Sequence, residues 1–204
     1  MGNSSIDLSL EKIWQSWFKF SKGKRKTKEL EIFSYYLEQN LRALHFDLNI
    51  GRYKHGGYKN FIITDNKRRE IRVASVRDKI IHRLLYEYLY KIYDKTFVYD
   101  AWSCRKEKGL FGAIERTQKF LSKCPNSFVW RADVKKFFDN VDQRTLLEIL
   151  YLRIKDIKAI NILKEIIISH SALAQERERE RVNALRVCAE ASAGRRAKAC
   201  QSAT

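Results

Sequence analysis

A 204-residue chain with 45% hydrophobic and 12% aromatic side chains can build one domain and a fraction more, which excludes a wholly disordered protein. Its 41 Lys and Arg against 24 Asp and Glu leave a net charge of +17. That excess favours a polyanion, since clustered cations that neutralise phosphates release counterions; a merely basic soluble protein or one at an anionic membrane surface are the plainer alternatives.

In chain order, residues 1–24 show no assigned element and stand as an N-terminal extension. Residues 27–44 place Leu30, Phe33, Leu37, Leu41 and Leu44 at steps of three and four, which predicts a helix. Phe61-Ile62-Ile63 and Ile71-Arg72-Val73 flank the polar stretch from Thr64 to Arg69 and predict a hairpin. Residues 76–93 line up Ile80, Ile81, Leu84, Leu85, Tyr88, Leu89 and Ile92 on one helical face, and 111–121 predict a shorter helix. Ser127 to Val134 alternates and is β-rich, which predicts a strand with Val129, Arg131 and Asp133 on a shared face. Asp142 is placed to cap a helix from about Gln143 to Ile154, and another is expected from Ile157 to Ser169. The sum is a helix-rich α+β arrangement.

Composition changes near His170. Every Phe, Tyr, Trp and Ile lies at or before Ile168. Residues 171–204 carry seven basic and four acidic side chains, which leaves +14 of the charge to residues 1–170. The tail offers a solvated helix around Gln175 to Glu190, but no core, and is expected to be poorly ordered or loosely helical, whereas residues 30–125 are expected to be the best-packed region. Cys104, Cys124, Cys188 and Cys200 form no close pair, and His45, His55, His82 and His170 no metal-ligand spacing. No run reaches the ~18 apolar residues of a membrane span, so the expectation is a cytoplasmic protein without a membrane partner.

Three segments invite chemistry. In Arg131 to Asp139, Asp133 ends the expected strand before a turn, a natural place to hold a divalent cation; the plain alternative is a surface aspartate with Phe137 and Phe138 buried. Lys67, Arg68, Arg69 and Arg72, with Arg77 and Lys79 close behind, put cations at a hairpin tip where they reach a triphosphate or a template backbone, or form a solvated charged turn. Ser103 to Gly109, after Trp102, is a basic loop opening a helix at about Leu110, either a phosphate-attracting helix start or a polar turn.

Together and in this order, these segments resemble the bacterial reverse transcriptases of the group II intron, retron and diversity-generating-retroelement type. FIITDNKRREIRVASVRDKIIHRLLYEYLYKIYDKTFVYDAWSCRKEKGLFGAIERT is similar to their fingers, with the basic hairpin, the Arg-Asp helix start and the Ser103 to Gly109 loop. FVWRADVKKFFDNVD is similar to their palm motif A. The resemblance covers residues 25–170 and implies fingers over 25–126, a partial palm over 127–170 and a foreign tail over 171–204. It implies RNA-directed DNA synthesis with two magnesium ions, an RNA template, a DNA primer and dNTPs. Asp133 would be the first metal-binding carboxylate, assisted by the main-chain carbonyl of Val134. Phe138 would face the sugar of the incoming dNTP, and Lys67 and Arg69 would contact its triphosphate. Arg105 would serve nucleic acid or the loop's own structure.

The family's aromatic-x-Asp-Asp turn has no counterpart, because the chain has no Asp-Asp pair and no aspartate after Asp156. The expectation is a reading frame that departs from the parent's near Ser169 to Ala172, or a truncation. The alternative function is a non-catalytic RNA-binding module. With one catalytic carboxylate the two-metal site cannot form, so this polypeptide is expected to be inactive. Incorporation of dNTPs on a primed RNA template by the pure protein, abolished by Asp133→Ala, would contradict that.

Overall fold

The computed structural model describes residues 5–65, 67–124, 126, 128–135 and 137–169, without the side chains of Phe138 and Asp139. The tail helix expected around Gln175 to Glu190 lies outside the described residues.

Helix α1, Leu10–Ser21, starts where the Ser9 hydroxyl accepts from the Lys12 N–H. Ile13, Trp17 and Phe20 recur at steps of four and three and are buried. The helix expected over 27–44 is two helices, α2 (Lys28–Tyr35) and α3 (Leu37–Asn49), broken at Tyr36. Side-chain hydrogen bonds compete with the helical ladder there. The Ser34 hydroxyl donates to the Leu30 carbonyl at 2.7 Å. The Asn40 amide donates at 3.1 Å to the Phe33 carbonyl, which an unbroken helix would pair with the Leu37 N–H.

The hairpin forms as predicted, with β1 (Lys59–Thr64) antiparallel to β2 (Arg68–Val73) in a register running from Lys59 opposite Val73 to Thr64 opposite Arg68. Helix α4, Val76–Tyr93, follows with the predicted boundaries and ends in a 3-10 turn, Asp94–Thr96. Then come α5 (Leu110–Lys123), the single turn α6 (Phe137–Asn140), α7 (Gln143–Arg153) and α8 over 157–169. The α7 cap is Asp142, whose carboxylate accepts from the Thr145 N–H at 2.9 Å. The fold is helix-rich α+β, and its described sheet has two strands. No helix among the described residues is long and apolar enough to cross a membrane.

The core lies among α1, α3, α4 and α8, with Ile13, Leu41, Leu44, Ile80 and Ala159 fully enclosed. Ile6 and Leu8 join it, and the Ile6 N–H donates to the Asp156 carboxylate that also caps α8. Glu87 of α4 binds α1 through Lys12 at 3.3 Å and Lys19 at 2.8 Å. Burial opposes ionisation of Glu87, and these two hydrogen bonds outweigh it, leaving the carboxyl below its ordinary range.

Two expectations need correction. Packing is densest not over 30–125 but over residues 6–88 with 154–163, and α5 buries no side chain. The strand expected over 127–134 is absent among the described residues, 128–134 running as irregular chain. A strand needs a hydrogen-bonding neighbour, and the only described sheet is the β1–β2 pair, which this stretch does not join, so alternation alone does not produce one. Phe128 and Trp130, at 103% and 89% relative exposure, have nothing to pack on.

This division of the core predicts that Ile80→Ala lowers unfolding free energy by about 2–5 kcal/mol, through lost burial and a cavity. Phe111→Ala, at a side chain 82% exposed, should stay within about 0.5 kcal/mol. Urea denaturation measures both, and equal losses would contradict the packing described.

Candidate nucleic-acid interface

The hairpin stands clear of the body. Every β1 residue is exposed, as are Arg68, Arg69 and Glu70 of β2. Pleating puts Arg69 on one face with Phe61, Ile63 and Ile71, and Arg68 and Arg72 on the other with Ile62. Lys67 sits in the tip between the strands and is exposed. Among the described residues Lys67, Arg68 and Arg69 have no ion pair or hydrogen-bonding partner beyond the strand ladder. Arg72 is half-buried, and its Nε has no hydrogen-bond partner.

The base of the hairpin is fixed by two acids. Glu29 of α2 accepts from the Lys59 ammonium at 2.7 Å and from the Val76 N–H at 2.9 Å, so one carboxylate holds the first residue of β1 and the first amide of α4. The Lys59 bond first, and the Val76 N–H second, hold the Glu29 carboxyl below its usual range. Asp78, with no exposed surface, accepts from the Tyr53 hydroxyl at 2.9 Å, the Ser75 hydroxyl at 2.6 Å and the Gly56 N–H at 3.2 Å. The Ser75 oxygen in turn accepts from the Asp78 N–H at 3.2 Å, a reciprocal cap on α4. Burial, then the charge and hydrogen bond of Asp78, push Tyr53 ionisation far upward, so its hydroxyl remains a donor. A Cβ on Gly56 would stand 2.9 Å from the Asp78 carboxylate, so this position has room only for glycine.

Arg77 and Arg105 are engaged internally. Arg77 meets Asp47 at 2.7 Å, donates to the Lys54 carbonyl and lies over the Tyr53 ring. The Arg105 guanidinium binds the Asp94 carboxylate at 2.8 Å and the carbonyls of Asp94, Val98 and Ala101. Of its two expected duties, this geometry fits the structural one: Arg105 closes the loop between α4 and α5 and has little donor capacity left for a nucleotide. In that loop Cys104 and Glu107 take positive φ values of 58° and 59°, a conformation that fixed surroundings must hold. The Lys108 ammonium, which donates to the Tyr99 carbonyl, lies over the Tyr99 and Trp102 rings.

Asp133 is exposed, in the irregular stretch just before the turn at Lys135 and α6. Val134 is 65% exposed, and Arg131 and Val129 are exposed beside it. Phe138 lies in α6, its side chain outside the described residues. The structure thus brings Lys67 and Arg69 together on the hairpin. Among the described residues no hydrogen bond or ion pair links them to Asp133. Nor do any three His, Cys, Asp or Glu gather as a metal site.

Sequence reasoning passed over Glu29 and gave Asp78 no role beyond the Arg-Asp helix start. The second had a signal: Ser75-x-x-Asp78 ahead of an apolar run is a helix-start pattern whose side chains bond each other.

The depressed Glu29 carboxyl stabilises the fold fully above the ordinary carboxylate range, and that contribution is lost as pH falls through its lower folded value. Glu29→Gln should therefore lower stability at neutral pH and flatten the acid limb of a stability-versus-pH curve. An unchanged limb would contradict the role given to Glu29. No known protein-family model matches the sequence, and no curated protein is similar enough to count as a relative.

Proposed function

We propose that this chain is the nucleic-acid-holding part of an RNA-directed DNA polymerase of the bacterial reverse-transcriptase type, with the β1–β2 hairpin as its fingers contact. The observation that carries the reading is the division of the cations. Arg77 and Arg105 are consumed in internal pairs, while Lys67, Arg68 and Arg69 are exposed at the end of a projecting hairpin and have no ion pair among the described residues. A tip of this kind suits the phosphates of an incoming dNTP or of an RNA template and DNA primer. The hairpin lies ahead of the Arg105-closed loop and of Asp133, the order in which the resembling motifs occur.

Asp133 and the Val134 carbonyl suit one side of a magnesium site, being exposed and, for the carboxylate, without an ion pair among the described residues. Magnesium in a two-metal site calls for at least one more acid, and among the described residues no three His, Cys, Asp or Glu gather around Asp133. No metal-dependent step is assigned to these residues. Phe138 as the sugar-facing residue belongs to the same reading.

The second reading, RNA binding without catalysis, is favoured by the lack of a group of three metal-ligating side chains around Asp133 among the described residues. Both readings place phosphate contacts on the hairpin. They part on nucleotide: only the polymerase reading requires magnesium-dependent dNTP binding that weakens in Asp133→Ala.

The double variant Lys67→Ala/Arg69→Ala should bind single-stranded RNA more weakly. The slope of log affinity against log salt should fall by about 1.4, at ~0.7 for each phosphate no longer neutralised. Unfolding free energy should change by no more than about 0.5 kcal/mol, since neither side chain is buried. Arg105→Ala should do the reverse, lowering stability and leaving the salt slope unchanged. Fluorescence anisotropy across a salt series decides it, and an unchanged slope in the hairpin variant would remove the hairpin from the interface.

A further inference from the structure

Two half-buried imidazoles meet where the chain enters the hairpin. The Nε2 atoms of His55, in the lead-in to β1, and His82, on α4, lie 3.1 Å apart, with the rings within 15° of parallel. The Nδ1 of His55 is 2.6 Å from the Gly56 carbonyl, which can only accept. His55 therefore carries its proton on Nδ1, and its Nε2 presents a lone pair. The His82 Nε2 must then be the protonated partner, donating to His55. One hydrogen fills the gap between the rings, and the tautomer of each is set by the other.

We propose that the His55–His82 pair is a pH-sensitive latch that fastens the hairpin to α4 when both rings are neutral and releases it when both are protonated. A first added proton can reside on the His82 Nδ1 and leave the shared hydrogen bond intact. A second must go to the His55 Nε2. It then sets two N–H groups and two positive charges face to face at a distance only a hydrogen bond makes tolerable. The rings would have to part, and His55 is joined to Gly56, whose N–H is bound by Asp78 and whose chain runs on into β1.

The charged surroundings do not outweigh this repulsion at His82. On α4 the buried Asp78 favours a cation at His82 and Lys79 opposes one. Three donors already occupy the Asp78 carboxylate. From the lead-in segment the Tyr58 ring stacks on His55, with centroids 4.9 Å apart, and brings no charge at neutral pH. Neighbouring Lys54 is paired with Glu165 of α8 at 2.8 Å. Burial first, and His55 second, hold His82 below its ordinary range. The sign follows: a group depressed in the folded state contributes stability above its unfolded value, near 6.5 for histidine, and loses it as pH falls through the folded value.

The latch rests on the proposed function only for what the hairpin does. Amide hydrogen exchange on the full chain, without nucleic acid, at pH 7.5 and 5.5 and corrected for intrinsic exchange, tests it apart from that reading. Hairpin protection should fall by up to about tenfold per pH unit per proton taken up on opening, while the interior amides of α1 and α4 keep theirs. His55→Gln/His82→Gln should make hairpin protection independent of pH in this window. Unchanged hairpin protection in the wild type, or the same fall in the double variant, overturns the proposal. Should the double variant not fold, imidazole nitrogen spectra of the wild type decide: both rings doubly protonated with hairpin protection unchanged would also overturn it. RNA affinity measured at the higher pH belongs to the function proposal alone.

Discussion

A carboxylate with no exposed surface stands at the point where the hairpin meets the helical body, and the placement of everything beyond it follows from that. Asp78 is tolerable inside only because Tyr53, Ser75 and Gly56 all donate to it. Losing one hydrogen bond to a buried charged group costs on the order of 1.5–3 kcal/mol, so these segments are held jointly rather than separately. Tyr53 and Gly56 belong to the chain entering β1, and Ser75 to the chain leaving β2. Both ends of the hairpin are therefore tied to the first turn of α4. Glu29 adds a third tie from α2, at the Lys59 ammonium and the Val76 amide. With its base so fixed, the hairpin can extend with both faces exposed.

The same economy explains how so basic a chain folds. Several cations near the body are matched: Lys12 and Lys19 with Glu87, Arg77 with Asp47, Arg105 with Asp94, Arg116 with Asp100. Each of these pairs joins separate parts of the chain, so charge serves there as a fastening. An unmatched cluster, Lys67 to Arg69, is at the far end of the hairpin, where mutual repulsion is relieved by solvent and stability loses little. Its uneven placement, together with the net charge, motivates the proposal of a polyanionic partner. A second uneven feature lies on the other side of the α4–α5 loop. There Leu110, Phe111, Phe128 and Trp130 leave apolar surface uncovered.

Much of this was legible in sequence, and the exceptions share a cause. Helix α4 shows in its apolar stripe from Ile80 to Ile92, and α8 in the stretch from Ile157, because each faces a single core along its length. The hairpin shows because two triplets, each with two β-branched residues, flank a polar turn. Helix α1 also had a signal, Ser9 ahead of Leu10, Ile13, Trp14, Trp17 and Phe20, which was passed over. The break at Tyr36 was hidden because the leucine spacing runs through it, while Ser34 and Asn40 divert the backbone bonds. The stretch from Phe128 to Val134 has a strand's alternation, but pairing is a property of two segments, and periodicity reports only one. Of the site, the basic tip was readable. The Asp78 and Glu29 ties depend on side chains remote in sequence, and only the local Ser75-x-x-Asp78 part was visible.

The central claim is that the hairpin tip and Asp133 serve one substrate. The most direct test is amide and side-chain chemical-shift mapping of the full chain, titrated with a primed RNA template and then with magnesium and dNTP. The account predicts shifts at Lys67 to Arg69 on adding the template, and further shifts at both the tip and Asp133-Val134 when magnesium and dNTP follow. Shifts confined to surfaces away from the tip, or a tip that responds while Asp133 never does, would contradict it.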